Sequence, residues 1–230
     1  MFQMSRTRIK IDGICRAADA AAAADAGADA IGMVFDPTAQ RSVSIGQARQ
    51  IVSAISAFVS IVGVFVDADA GTIRQVMDEI PMSAVQLHGR ESPQLVAELK
   101  PVRVIKALRT DEADALSIWL EAMGDLKLTN LIGIVMDTST LIAKVPGGSG
   151  VANDWSQLRD LQRAHRFDGL GALIVAGGLN PANVGDVVRL LRPFAVDVSS
   201  GVESAKREKS PDKIAAFVRA VREADAQMNP

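Results

Sequence analysis

The 230-residue sequence predicts an α/β fold, a single-domain (β/α)8 TIM barrel spanning residues 1–230. Three observations carry this. Eight short β-branched runs alternate with eight helical stretches from end to end. The runs are nearly continuous apolar segments, such as Ile61–Val66 (IVGVFV) and Leu173–Ala176 (LIVA), as parallel strands buried on both faces require. No linker, low-complexity segment or shift of composition divides the chain, and a barrel of about 250 residues is one domain. An open doubly wound sheet is the rival, but eight strands of similar spacing suit closure better.

The first strand is expected at Thr7–Asp12, followed by a helix from near Arg16, where the Ala-rich Ala18–Ala28 segment needs no more than helix propensity. The second strand, Ala30–Phe35, leads to a helix that Ser44 caps. The third, Ser60–Val66, precedes a helix from near Ala70. The fourth, Ala84–Leu87, is followed by a Ser92 cap with Pro93 in the first turn, where a missing N–H does no harm. The fifth, Val102–Ala107, and the sixth, Leu131–Met136, lead to helices opened by Asp111 and Asp154. The seventh, Leu173–Val175, leads to a helix with Pro181 in its first turn, and the eighth, Ala195–Val198, to one capped by Ser210 and begun by Pro211.

Composition narrows the function. With 48% hydrophobic and 23% charged residues the chain reads as globular. Twenty-five basic against 27 acidic residues, a net charge of −2, argue against a nucleic-acid partner, which would demand a basic excess. Cys15, the only cysteine, forms no internal disulfide and no CxxC site. Met1–Lys10 lacks the apolar core of a secretory signal, and no apolar run reaches the roughly 18–20 residues of a membrane span, so the expected location is cytoplasmic.

In such a barrel the chemistry sits at the C-terminal strand ends. There stand Asp12-Gly13, Asp36 with the loop to Arg41, His88, Lys106, Asp137, Gly177-Gly178 and Ser199-Ser200-Gly201. The last two loops follow strands seven and eight, the usual place of a phosphate in this fold, where glycines let backbone N–H groups approach an anion. The plainer alternative is that they only make tight βα turns. Asp12 and Asp137 pair as base and acid across the barrel mouth, or else serve as turn residues hydrogen-bonded to nearby N–H groups. Arg41 is a fork for a substrate carboxylate or a solvated loop side chain. His88 touches ligand or holds structure; Lys106 contacts substrate or pairs with Asp137. Gly147–Gly150 is either a cover over bound ligand or a connector. Cys15 is expected to pack at the start of the first helix.

Together these residues resemble the phosphoribosylanthranilate isomerase family of tryptophan biosynthesis, from about Arg8 to Val221. The likeness rests on ten motifs in order: KIDG (Lys10–Gly13), GADAIGMVF (Gly27–Phe35), QRSVS (Gln40–Ser44), VQLHG (Val85–Gly89), VIKALR (Val104–Arg109), VMDT (Val135–Thr138), PGGSG (Pro146–Gly150), DW (Asp154-Trp155), AGGLNPANV (Ala176–Val184) and VDVSSGVE (Val196–Glu203). The resemblance implies an Amadori rearrangement with no metal and no cofactor. Its partner would be a small-molecule phosphorylated aminosugar substrate, with no nucleic acid, no membrane, and helix faces compatible with a homo-oligomer. It implies Asp137 as acid, Arg41 on the anthranilate carboxylate, and Asp197 as an aspartate near the ligand, beside the substrate contacts that the strand-end reading offers at His88 and Lys106. Gly177, Gly178, Ser199, Ser200 and Gly201 would hold the phosphate.

One departure bears on the mechanism. The family motif reads KICG, with cysteine as base, where this chain has Asp12; Cys15, in a slot usually Thr or Ser, is expected to point away. Related phosphoribosyl isomerases of histidine biosynthesis use an aspartate at this strand end. An ordinary aspartate, pKa about 3.9, is ionised at neutral pH but is a weaker base than a thiolate, parent pKa about 8.5. Asp137, as the acid, then needs a raised pKa. Asn153 also stands where the family is usually apolar. The expected activity is therefore that of the family with Asp12 as base. The alternatives are an isomerase for another phosphorylated aminoaldose, or a catalytically silent sugar-phosphate binder.

Overall fold

A computed structural model describes residues 6–109, 113–138 and 155–228. Eight parallel strands close into a barrel in sequence order: β1 (Arg8–Ile11), β2 (Ala30–Val34), β3 (Ser60–Phe65), β4 (Ala84–Leu87), β5 (Val104–Arg109), β6 (Leu131–Asp137), β7 (Ala172–Ala176) and β8 (Ala195–Val198). Closure is made by β1 against β8, with Lys10 in register with Asp197 and Ile11 with Val198. Around it lie α1 (Ala17–Asp25), α2 (Ile45–Ser53), α3 (Ala70–Glu79), α4 (Pro93–Glu98), α5 (Ala113–Asp125), α6 (Ser156–Arg163), α7 (Val184–Leu191) and α8 (Pro211–Met228). No described helix is long and apolar enough to cross a membrane.

Two apolar layers explain the continuous apolar runs. One face of each strand packs on the helices, as Ile9, Ile11, Val104 and Leu108 do. The other fills the barrel interior with smaller side chains, among them Ala84, Ile105, Ala107, Val135, Ile174, Ala176 and Ala195. Both faces are dry, so no polar alternation marks the strands.

Helix starts follow local chemistry. Ser44 and Gln47 form a reciprocal capping box on α2, and Ser210 Oγ accepts the Lys213 N–H at 3.3 Å. Asp69 caps α3 by accepting from Thr72 N at 2.7 Å. Ser92 stands at the N-cap of α4 with Pro93 following, though its side chain makes no cap bond. Pro181 lies in a turn ahead of α7, because Asn180 Oδ1 takes the Ala182 N–H and Asn183 Oδ1 the Asn180 N–H, delaying the helix to Val184. Strand β5 begins two residues later than expected, since Val102 N closes a turn onto Leu99 O. The expected caps Asp111 and Asp154, the Gly147–Gly150 loop and Asn153 lie outside the described residues.

Between β8 and α8 the chain adds a 3-10 turn (Ser200–Val202) and an antiparallel hairpin, β9 (Glu203–Ala205) with β10 (Glu208–Lys209), which the sequence reading did not anticipate. Buried Asp19 of α1 anchors it, accepting the Lys209 N–H at 3.2 Å and the Arg16 guanidinium at 2.6 and 3.1 Å. That aspartate therefore does more than sit in a helix-favouring segment.

Candidate active site

A cavity of about 360 Å³ opens at the C-terminal rim of the barrel, a size suited to a small molecule. Asp12, Arg41, His88, Asp137 and Asp197 line it, together with Gly177, Gly178, Ser199, Ser200 and Gly201. Ten of the eleven site residues expected from sequence thus meet in one place.

Lys106 is the eleventh, and it does not line the cavity. It sits on the helix-facing side of β5 beside Val104 and Leu108, 2% exposed, with Nζ bonded to Gly89 O at 2.7 Å, Glu91 Oε2 at 2.9 Å and Leu87 O at 3.2 Å. Its ion-pair partner is therefore Glu91, not Asp137. Glu91 also accepts the N–H groups of Asp67 at 2.9 Å and Gly89 at 3.0 Å, so the pair braces the loop just after His88.

Asp12 follows β1 and is fixed by its own N–H to Val198 O at 2.8 Å. Its Oδ1 lies 3.1 Å from Lys10 Nζ, which in turn donates to Asp197 Oδ2 at 2.8 Å. Gly32 of β2 leaves the space this requires: a Cβ there would overlap Asp12 Oδ1 and stand 2.9 Å from Asp12 Cγ. Burial works against Asp12 ionising, but the Lys10 ammonium and His88 outweigh it and hold the carboxyl below its ordinary range. Burial raises Asp197, to about 6, with Lys10 opposing and Asp12 adding to the rise. Burial by itself would lower Lys10; the two carboxylates reverse this and keep it an ammonium.

Across the mouth, His88 Nε2 is 3.4 Å from Asp137 Oδ2. Fully buried Gln86, two residues before His88 and on the same strand face, places its Nε2 2.9 Å from His88 Nδ1. With the amide so oriented, Nδ1 accepts and the Nε2–H faces Asp137. Burial pulls the His88 pKa down, while Asp137 and Asp12 raise it above its usual value. The His88–Asp137 pair is thus a place to keep a proton.

Arg41 is held as a fork by Glu203, Nε to Oε1 at 2.7 Å and Nη2 to Oε2 at 2.8 Å. This bidentate hold uses Nε and Nη2 and leaves the Nη1 donors out of the Glu203 fork, on a residue that lines the cavity. Arg207, at the hairpin turn, grips the backbone on either side, donating to Gln40 O at 2.6 Å and Ser42 O at 3.0 Å. Lys209 Nζ donates to Ser199 O at 2.9 Å and Glu203 Oε1 at 3.3 Å, tying the arginine to the glycine loops. Those loops pack by necessity of their glycines: Gly177 and Gly178 have φ of 88° and 64°, and a Cβ on Gly201 would stand 2.9 Å from the Leu179 carbonyl carbon. Thr138 Oγ1 joins β6 to the first of them through Ala176 O and Gly177 O, both at 3.0 Å.

Cys15 takes no part in lining the cavity. Its thiol is buried, donates to Arg41 O at 3.5 Å and Gly13 O at 3.6 Å, and is pushed up in pKa by burial. Among the described residues no group of three or more His, Cys, Asp and Glu side chains is arranged to hold a metal ion.

The site residues missed in sequence are Lys10, Gln86, Gly32 and Glu203. For Lys10 and Gln86 a signal existed: each is a polar side chain inside an apolar strand, two positions before a singled-out residue, on the same face. Glu203 had none, since its partner Arg41 is 162 residues away.

Comparison with known proteins places the chain. The family model described as N-(5'phosphoribosyl)anthranilate (PRA) isomerase matches residues 9–220. The N-(5'-phosphoribosyl)anthranilate isomerase of Pseudomonas fluorescens SBW25 is 42% identical over 226 residues, 98% of this chain and 100% of that protein. That of Pseudomonas putida GB-1 is 43% identical over 221 residues, 96% and 100%. A crystal structure of phosphoribosyl anthranilate isomerase from Thermotoga maritima superposes with a TM-score of 0.79 at 37% identity, covering 94% of this chain and 99% of that one. A phosphoribosyl anthranilate isomerase in complex with reduced 1-(o-carboxyphenylamino)-1-deoxyribulose 5-phosphate gives 0.77 at 34% identity with the same coverage.

Proposed function

The chain belongs to the N-(5'-phosphoribosyl)anthranilate isomerase family of tryptophan biosynthesis, and on that premise we propose that it rearranges N-(5-phosphoribosyl)anthranilate with Asp12 as general base and Asp137 as general acid. The product is 1-(2-carboxyphenylamino)-1-deoxyribulose 5-phosphate, and the reaction belongs in the cytoplasm. The observation that carries this reading is the rim cavity, where two carboxylate sites, an oriented arginine and two glycine loops converge.

The glycine loops take the phosphate and Arg41 takes the anthranilate carboxylate, so the ribose lies between Asp12 and Asp137. Asp137, which shares its proton with His88, protonates the ring oxygen. The C1–O bond breaks as the nitrogen lone pair forms a C1=N iminium. Asp12 then removes the C2 proton, and the C–H electron pair becomes the C1=C2 bond while the iminium nitrogen recovers its lone pair. The enolamine tautomerises to the ketone. Asp197 stands beside Asp12 as a second carboxylate at the sugar.

The test follows the fluorescence of phosphoribosylanthranilate formed in situ from anthranilate and phosphoribosyl pyrophosphate by the preceding enzyme. Addition of this protein accelerates the decay above spontaneous hydrolysis, with product accumulating. Asp12→Asn lowers kcat by roughly 10²–10⁴-fold, the usual worth of positioned acid–base groups. Retention of most turnover in Asp12→Asn would remove Asp12 as base. Asp12 in place of cysteine also favours a second reading, a different phosphorylated aminoaldose as substrate; an unchanged anthranilate turnover in Arg41→Ala would select it.

A further inference from the structure

A carboxylate whose proton affinity is lowered by a neighbouring ammonium is a poor acceptor for a carbon-bound proton. The barrel interior contains a remedy. Lys10 of β1 and Asp12 just after it lie two residues apart with their side chains 3.1 Å from each other, and Asp197 on β8 is the register partner of Lys10. The Lys10 ammonium, its side chain 5% exposed, lies 2.8 Å from one carboxylate and 3.1 Å from the other. Asp12 Oδ1 is buried against the Lys10 ammonium, Asp197 Oδ1 is buried without a hydrogen-bond partner, and both residues line the cavity.

We propose that Lys10, Asp12 and Asp197 work as one proton-accepting unit for the C2 proton, two buried carboxylates sharing a single ammonium. The proposal rests on the reading of Asp12 as base and deepens it. The unit carries one positive and two negative charges, so it buries an uncompensated negative charge until a proton arrives. Uptake of the C2 proton makes it neutral. The proton lands on Asp12, the electron pair it leaves forms the C1=C2 bond, and Lys10 turns wholly to Asp197. In this arrangement Asp197 raises the basicity of the pair, and Lys10 is the positioning residue that keeps both carboxylates at the sugar. The apparent titration then belongs to the pair rather than to either residue, near the value of about 6 that burial imposes on Asp197. An acceptor of that strength is matched to neutral pH in a way that a lone salt-bridged aspartate is not. The other charged groups that face the unit are His88 after β4, Arg41 in the loop after β2 and Lys209 of β10, with Asp137 of β6 acting on it through His88.

The experiment is the pH profile of kcat/KM for the full chain and its Asp197→Asn and Lys10→Met variants, with a 13C NMR titration of the aspartate carboxyls in the unaltered protein. The expected acid limb lies near pH 6, alongside one carboxyl resonance titrating there. Asp197→Asn leaves a neutral Asp12–Lys10 pair, so its limb falls by about one pH unit or more and kcat drops about tenfold. Lys10→Met leaves two carboxylates without a counter-ion, so its limb rises; a structural role would not drive the two variants in opposite directions. Limbs that stay in place in both variants, or no carboxyl titrating above about pH 5, would overturn the proposal. The NMR result decides even where Lys10→Met fails to fold. If Asp12→Asn is inactive while the Asp197→Asn limb is unmoved, only the shared unit fails. If Asp12→Asn stays active, the base reading fails with it.

Discussion

Gly32→Ala isolates the position of Asp12 from its chemistry. Gly32 lies in β2 with ordinary extended backbone, so alanine introduces no backbone strain. The nearest atoms to the added methyl are Asp12 Oδ1, which it overlaps, Asp12 Cγ at 2.9 Å and Lys10 Cε at 3.1 Å. Ordinary contact begins near 3.4 Å, so Cγ must retreat by about 0.5–1 Å and Oδ1 by more. A short side chain can yield in this way by rotating at χ1, which carries the carboxylate off Lys10 and away from the sugar. A misplacement of about 1 Å at a reacting group costs about 10²-fold, so kcat is expected to fall by about two orders of magnitude. Overpacking costs about 1–3 kcal/mol, a fall of a few to about ten degrees in Tm for a chain of this size. KM should hold, because the atoms nearest the methyl belong to Asp12 and Lys10 rather than to the groups proposed to bind the carboxylate and the phosphate. Fluorescence decay of phosphoribosylanthranilate under saturating substrate gives kcat, and a thermal melt gives stability. Turnover at the parent rate with the fold intact would refute the reasoning, since the reaction would then not depend on where the Asp12 carboxylate stands.

Two further outcomes are expected. Lys106→Met removes one partner of a buried ion pair and leaves Glu91 uncompensated, which costs about 3–5 kcal/mol; urea unfolding should show this, while kcat of the folded protein stays close to that of the parent. Cys15→Ala should leave kcat unchanged, and thiol alkylation should not inactivate the folded protein, because the thiol is buried, protonated and bonded to backbone carbonyls. A large loss of turnover in Cys15→Ala would return the base to the thiol.

The eight strands, their order and the residues at their C-terminal ends were set by local sequence. β-branched runs of four to seven residues make strands, Ser44, Ser92 and Ser210 start helices, and glycines at 177, 178 and 201 mark loops that must approach closely. Because this fold brings all strand ends to one rim, naming the end residues was enough to name most of the cavity lining. Which way each side chain points was decided only by closure. With both strand faces apolar, no polar alternation distinguishes inside from outside, and a shift of one residue exchanges them. Lys106 and Lys10 show the consequence. Each is a lone lysine in an apolar strand, yet register turns the first outward to Glu91 and the second inward between Asp12 and Asp197. The arrangement of Arg41 was equally beyond local sequence, for its holders Glu203 and Arg207 arrive from a hairpin more than 160 residues later. Local propensity acts over a few residues; ion pairs between distant strands exist only after the barrel has closed and buried them.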